Sequence, residues 1–320
     1  MKFSRELSIP LFAVAMGLSI ACAPALWGQL SNSNQFSLSM VLTNDVAVFT
    51  IGGAATNGFD SVDLFFKTNF TDSESWTWLV RCPASQTNLV MSNLPPAQGF
   101  FMLGVTNAIR PGFDAASLPR EDDAPSTNAP LPFAMNFFNA VYSNIWVNNN
   151  GNVTFDNPQW AYTPAPLATL GIRIIAPYWA DVDTDNPDSD VVKFGANTVD
   201  GHAAFGVDWV NVGYYQAHAD KLLSCQLVII DRSDIAPGDF DMEFNYIKVQ
   251  WEWGDVSVGK PARVGFSDGV NDYELANSGV EGTFLDTNAV TGLIYNNLNS
   301  PVPGRYIFCF RDGQPSQPPP

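Results

Sequence analysis

The sequence predicts an all-β protein: a small N-terminal β-sandwich-like module followed by a larger antiparallel β-sandwich. Three observations carry this prediction. Short runs of β-branched and aromatic residues recur with apolar and polar positions alternating, the two-residue period of a strand with one wet face. Turn-forming Asn, Gly, Pro and Ser separate these runs, and the 320 residues include 24 glycines and 23 prolines. After roughly the first thirty residues, no amphipathic stretch with the 3.6-residue period of a helix occurs.

At the N-terminus, Lys2 and Arg5 precede a mostly apolar stretch from Leu7 to Ala21, and small residues follow at Ala23, Ala25 and Gly28. That order predicts a secretory signal over residues 1–28, cleaved after Ala25 or Gly28, and an exported, soluble mature chain. The apolar stretch is too short to span a bilayer comfortably, so no transmembrane segment is expected in the mature chain. Ser19-Ile20-Ala21-Cys22 also resembles a lipoprotein signal, with Ser where Leu is usual, which makes a cell-surface lipoprotein anchored through Cys22 the second reading. Without the signal, Cys82, Cys225 and Cys309 remain, an odd number that excludes a disulfide scaffold. Cys225 and Cys309 either pair across a sheet or pack as buried free thiols, and both readings stay open.

The small module is placed at residues 36–106, with strands at Asp45–Ile51, Val62–Lys67, Trp76–Arg81, Asn88–Met91 and Phe100–Leu103. Val62, Leu64 and Phe66 share one parity and are assigned to its core, as are Trp76 and Trp78 on another strand face. Asn107 to Pro132 is polar and irregular and marks a domain boundary. Beyond it, Ile145-Trp146-Val147 and Asn152-Val153-Thr154-Phe155 flank Asn148-Asn149-Asn150-Gly151, whose residues tolerate the positive φ of a tight reversal, so a hairpin is predicted. Further strands are read at Ile172–Trp179, Ala204–Val210, Leu222–Asp231, Asp239–Tyr246, Ala262–Phe266 and Arg305–Phe310. Residues 314–320 read as a disordered, proline-rich tail.

The formal net charge of −17 repels phosphate backbones and anionic lipid, which removes nucleic acid and electrostatic membrane docking and leaves calcium, cationic surfaces and neutral glycans as partners. Asp181, Asp183, Asp185, Asp188 and Asp190 crowd five carboxylates into one short loop after an apolar strand. Calcium is the cofactor such hard oxygens predict, although Asn186 and Val192 replace the turn glycine and closing glutamate of an EF-hand. A solvated acidic loop is the competing reading. Gly265-Phe266-Ser267-Asp268-Gly269 has the spacing of a nucleophile elbow, but both histidines, His202 and His218, precede the serine, so a plain hairpin is expected. Trp251 and Trp253, on one face of a predicted strand, fit either a sugar-stacking platform or core packing.

Several segments together resemble the nidogen-type extracellular domain family (NIDO), in the form found in secreted bacterial proteins. They are Phe137-Phe138, the hairpin from Tyr142 to Phe155, Ile175-Ala176-Pro177-Tyr178-Trp179-Ala180-Asp181-Val182-Asp183-Thr184, Val207-Asp208-Trp209, Gln226-Leu227-Val228, and Asp241-Met242-Glu243-Phe244-Asn245-Tyr246 leading to Gln250-Trp251-Glu252. The resemblance covers residues 111–313, with Leu223 and Cys225 departing from the family's usual polar and aromatic residues. It implies a β-sandwich acting in cell adhesion or cell–matrix association, without catalysis, on an extracellular-matrix or cell-surface protein or glycan. Asp239, Asp241 and Glu243 also locally resemble the active strand of laminarinase-type β-glucanases, which would imply a secreted glycoside hydrolase; a glycan-binding module is the other alternative.

Overall fold

The computed structural model describes residues 14–19, 37–43, 46–52, 61–67, 77–83, 85–91, 98–104 and 107–316. The cleavage positions, Cys22, Trp76 and residues 317–320 lie outside the described residues. The chain forms two compact units, one of Met1–Asn107 with Pro301–Pro303 and one of Ala108–Ser300 with Gly304–Pro320.

The smaller unit contains β1 (Val14–Ser19), β2 (Ser37–Thr43), β3 (Val46–Gly52), β4 (Ser61–Lys67), β5 (Thr77–Pro83), β6 (Asn88–Met91) and β7 (Gln98–Gly104). They form a four-stranded sheet in the order β1-β7-β4-β5 and a three-stranded sheet β2-β3-β6, antiparallel throughout. β1 falls within the stretch read as a secretion signal. Leu38, Phe49 and Ile51 from one sheet meet Val62, Leu64, Phe66, Phe101 and Leu103 from the other in a single core, as period-two alternation requires. Trp78 is not part of that core. It is half-buried, and its indole N–H donates to Asp63 Oδ1 at 3.1 Å, on a carboxylate that also takes Arg81 Nε at 2.8 Å and Nη2 at 2.9 Å in a buried fork.

The larger unit contains β8 (Ala116–Ser117), β9 (Ala129–Phe137), β10 (Ala140–Asn148), β11 (Asn152–Thr154), β12 (Ile174–Trp179), β13 (Val182–Asp183), β14 (Lys193–Val199), β15 (His202–Tyr214), β16 (His218–Asp231), β17 (Phe240–Val249), β18 (Arg263–Ser267), β19 (Asp272–Glu274), β20 (Arg305–Arg311) and β21 (Gln314–Ser316). One sheet has the order β19-β18-β12-β11-β10-β9 and the other β21-β20-β17-β16-β15-β14-β8, with β13 joined to β15. Their facing sides share one core. Phe137, Ile145, Val147, Val153, Ile175 and Phe266 of the first sheet pack against Val207, Trp209, Leu227, Phe244, Phe308 and Phe310 of the second. Both outer faces are partly covered as well: Phe113 lies with Val228 and Ile230 on one, and Leu167 with Ile174 and Trp179 on the other. All the outermost strands are short or carry proline: β8, β19 and β21 have two or three residues, β21 includes Pro315, and β9 includes Pro130 and Pro132.

The predicted hairpin forms with Val147 opposite Val153 and Asn148 opposite Asn152, so Asn148 belongs to β10 and the turn is one residue shorter than expected. Two expectations need correction, one further strand appears, and the open alternative for the cysteines closes. Gln314–Ser316 is not a free tail but pairs with β20, Phe310 opposite Pro315. Lys193–Val199 is a strand, joined to β15 through Asp200-Gly201, both at positive φ. Trp251 and Trp253 lie beyond the end of β17 and share no strand face; Trp251 is 4% exposed and packs on Tyr178 and Tyr214. Cys225 and Cys309 are free, because β17 separates their strands and their β17 partners, Tyr246 and Asp241, are offset along it. Two strand spacings alone, about 9–10 Å, exceed the reach of a disulfide.

Candidate functional site

The best-built polar site of the larger unit lies where β12 turns into β13. β12 is buried along its whole length, so the chain leaves it with its backbone inside the protein and needs internal partners. The hairpin turn supplies them. Tyr178 N–H donates to Gly151 O at 3.1 Å and Ala180 N–H to Asn150 O at 3.3 Å. Asn150 Oδ1 accepts from Val182 N–H at 2.8 Å while its Nδ2 donates to Asp123 Oδ1 at 2.6 Å. Asn149 Nδ2 donates to Val182 O at 2.7 Å and Glu121 O at 3.2 Å, and its N–H donates to Ala124 O at 3.1 Å. These bonds tie a strap at residues 121–124 to the β12–β13 corner, where Asp122 bridges to Asp183.

The result brings Asp122, Asp123 and Asp181 together, with one carboxylate oxygen from each lying within 4.8 Å of the others. Asp181 is 0% exposed; its Oδ2 accepts from the Ser257 hydroxyl at 3.2 Å, and its Oδ1 has no hydrogen-bond partner. Asp122 Oδ1 and the buried Asn149 Oδ1 are also without one. Burial pushes Asp181 up to about 7 against the pull of Ser257, with Asp123, Asp183 and Asp255 adding to the rise. Burial also lifts Asp122 to about 7, helped first by Asp123 and Asp183. Gly254 closes over the site, since a Cβ there would stand 2.4 Å from Asp181 Oδ2.

The five aspartates of the predicted loop do not converge. Asp181 joins the cluster just described. Asp183 is buried, and its carboxylate accepts the N–H groups of Asp185 and Ala217, each at 2.8 Å. Asp185, Asp188 and Asp190 are exposed. A guanidinium organises the loop instead: Arg120 Nη1 donates to the carbonyls of Thr184 at 2.6 Å, Ser189 at 2.7 Å and Asn186. Asp122 and Asp123 were absent from the expected set because they belong to a strap far away in sequence. The sequence carries no local signal for them: the burial of Asn149 and Asn150, which ties the strap to the corner, is a property of the fold.

The alternative catalytic strand has its acids on one outer face as the alternation predicts, but arginines occupy them. Glu243 is 2% exposed and receives Arg110 Nε at 2.6 Å and Nη2 at 2.8 Å, with Arg305 Nε at 3.5 Å. Burial alone would raise the Glu243 pKa; the Arg110 hydrogen bond and the charges of Arg305 and Arg110 outweigh it and hold the carboxyl below its usual range. Asp241 is paired with Arg232 at 2.7 Å and Arg311 at 2.6 Å. A glycosidase acid needs the opposite tuning, a raised pKa beside an open cleft. A groove of about 240 Å³ does open nearby, lined by Arg110, Asp114, Lys193 and Asp208 among others, but none of the three acids lines it. Ser267 is buried and heads a hairpin, its residue opposite Asp272 and its Oγ–H donating to Asn271 O at 3.0 Å.

Asp208, at that groove, gives a pH-dependent prediction. Burial raises its carboxyl to about 6 despite the Gln226 Nε2 hydrogen bond at 2.7 Å. The folded state therefore holds this proton more tightly than the unfolded chain. Its contribution to stability is full below the ordinary aspartate range and is lost as pH rises through about 6. Asp208→Asn, which keeps the acceptor oxygen, is expected to melt above the wild type at pH ~7.5 and level with it at pH ~4 in calorimetric scans.

A family model described as nidogen-like domain matches residues 143–312, just over half of the chain. Among curated proteins, alpha-tectorin of Mus musculus is 28% identical over 222 residues, covering 59% of this chain and 10% of that protein; alpha-tectorin of Homo sapiens gives the same figures. Alpha-tectorin of Gallus gallus is 25% identical over 227 residues, again covering 59% and 10%. The chain thus spans about a tenth of the length of the curated relatives it matches. The bacterial setting expected from the resemblance finds no support among them. No solved structure matches the chain significantly. Among the described residues no helix is long and apolar enough to cross a membrane.

Proposed function

Because the chain belongs to the nidogen-like domain family, we propose that it acts outside the cell as a non-catalytic binding module in adhesion or matrix association. Its partners are an extracellular-matrix or cell-surface protein or glycan. The observation that carries this reading is the span of the family match, which runs from within β10 through β20 and so takes in strands of both sheets of the larger unit. The arginine clamp on Glu243 supports binding over glycan hydrolysis, because a carboxylate held charged in this way cannot serve as the proton donor, and arginines also occupy Asp241.

The test uses the purified full chain, immobilised, against a matrix preparation and against intact cells, beside an assay for β-glucan hydrolysis. The expected outcome is saturable binding that heat-denatured protein lacks, with no turnover. Hydrolysis that disappears in Glu243→Gln, in a variant whose melting curve still shows both units folded, would overturn the proposal in favour of an enzyme.

A further inference from the structure

We infer that Asp122, Asp123 and Asp181 form a site for one hard divalent cation, calcium by preference, fastening the residue 121–124 strap to the β12–β13 corner. The inference starts from how the larger unit treats its other buried acids. Asp239 has Arg311 and the N–H of Asp312, Glu243 has Arg110 and Arg305, Asp183 has two backbone N–H groups, and Glu252 has the N–H of Gly282. Asp181 is the exception. It is wholly buried, receives only a serine hydroxyl on one oxygen and nothing on the other, and has two further carboxylates converging on it. Among the described residues, no lysine or arginine is ion-paired with any of the three.

The unpartnered oxygens set the chemistry of the ligand. An unsatisfied buried carboxylate oxygen is costly, and three acids in near contact repel one another unless a proton or a bound cation neutralises them. The donor set is all oxygen, which selects calcium or magnesium over zinc or copper. Oxygens bound to one calcium ion at 2.3–2.6 Å stand at most about 5 Å apart, and the 4.8 Å limit on the three carboxylate oxygens meets that condition. Asn149, whose amide N–H groups already tie the strap to the corner, also has an unpartnered buried side-chain oxygen. Water would complete the six to eight ligands calcium takes, whereas the smaller magnesium ion demands a tighter octahedron.

The experiment takes the full chain through a chelator and desalting, then titrates calcium chloride by calorimetry and records melting curves. Magnesium chloride, and sodium chloride of matched ionic strength, run alongside. One site with a dissociation constant of about 10⁻⁴–10⁻³ M is expected, with a rise in melting temperature of about 2–5 °C at millimolar calcium and a smaller rise with magnesium. Asp181→Asn and Asp122→Asn should each weaken binding at least about tenfold, and Asp188→Asn, in the exposed loop, by less than about twofold. Asp122 is half-buried, so its variant supplies the readout if Asp181→Asn does not fold. No heat and no shift with calcium, equal shifts from all three salts, or a loss in Asp188→Asn as large as in Asp122→Asn would each overturn the site.

Discussion

Glu243→Ala is expected to destabilise the larger unit by about 3–5 kcal/mol, read as a shift of its urea midpoint at unchanged slope. Glu243 holds together a polar network under the chain's entry to that unit. Arg110 forks onto its two oxygens, Asn245 Nδ2 donates to Oε2 at 3.3 Å, and Arg305 stands 3.5 Å away with its side chain 12% exposed. Gln226 extends the network by exchanging hydrogen bonds with the backbone of Arg110, and Arg305 donates to Ala108 O at 2.7 Å. Burial already pulls the Arg305 pKa down, Glu243 opposes that, and Arg110 adds to it. Removing the carboxylate therefore leaves two like charges sharing a site that excludes much of the water. Glu243→Gln keeps the shape and one acceptor and should cost less. It should also show a distinct pH profile. Because the folded pKa of Glu243 lies below the usual value, its contribution is present above the ordinary glutamate range and fades as pH falls through the lowered native value. The amide variant lacks that acid-side loss.

Gly151→Ala is expected to cost about 4 kcal/mol or more, enough to leave the larger unit unfolded or molten at 37 °C. Gly151 sits at φ +71°, and a Cβ there would stand 1.8 Å from Tyr178 O and 2.7 Å from its carbonyl carbon. Neither atom can swing aside, because Tyr178 belongs to fully buried β12 and its hydroxyl donates to Trp251 O at 2.7 Å. Gly201→Ala is the matching control: φ is +87°, but nothing lies within 4 Å of the added carbon. It should cost only the left-handed backbone penalty of about 1 kcal/mol. Equal effects for the two substitutions would mean that backbone conformation, not the close approach to β12, decides the hairpin's contribution.

Much of this fold was legible in the chain because alternation is a local signal. The strands predicted at Ile172–Trp179, Leu222–Asp231 and Arg305–Phe310 coincide within a few residues with β12, β16 and β20. β14 escaped because Lys193–Val199 carries few large apolar residues, and half-exposed strands of that kind are marked by their turns. Asp200-Gly201, two positive-φ residues between Val199 and His202, was that mark. The acidic site was legible only by half. Density of charge pointed at Asp181 through Asp190, yet what makes Asp181 unusual is desolvation, which depends on Tyr215, Gly254, Ser257 and the distant strap rather than on its neighbours in sequence. Of the two open readings of Cys225 and Cys309, the free thiols hold and the cross-sheet pair does not: belonging to one sheet says nothing about how many strands lie between.

The blunted margins of the larger unit decide how it can join others. A fibril or a borrowed-strand complex needs a long, regular flank with free amide protons, and neither sheet offers one. β8, β19 and β21 end too soon to template a neighbour, and the prolines of β9 and β21 withhold the donors such zippering would use. Copies of the unit brought close together can touch through loops and side chains without merging their sheets. The short outermost strands and their prolines thus disfavour edge-to-edge pairing between copies of the unit.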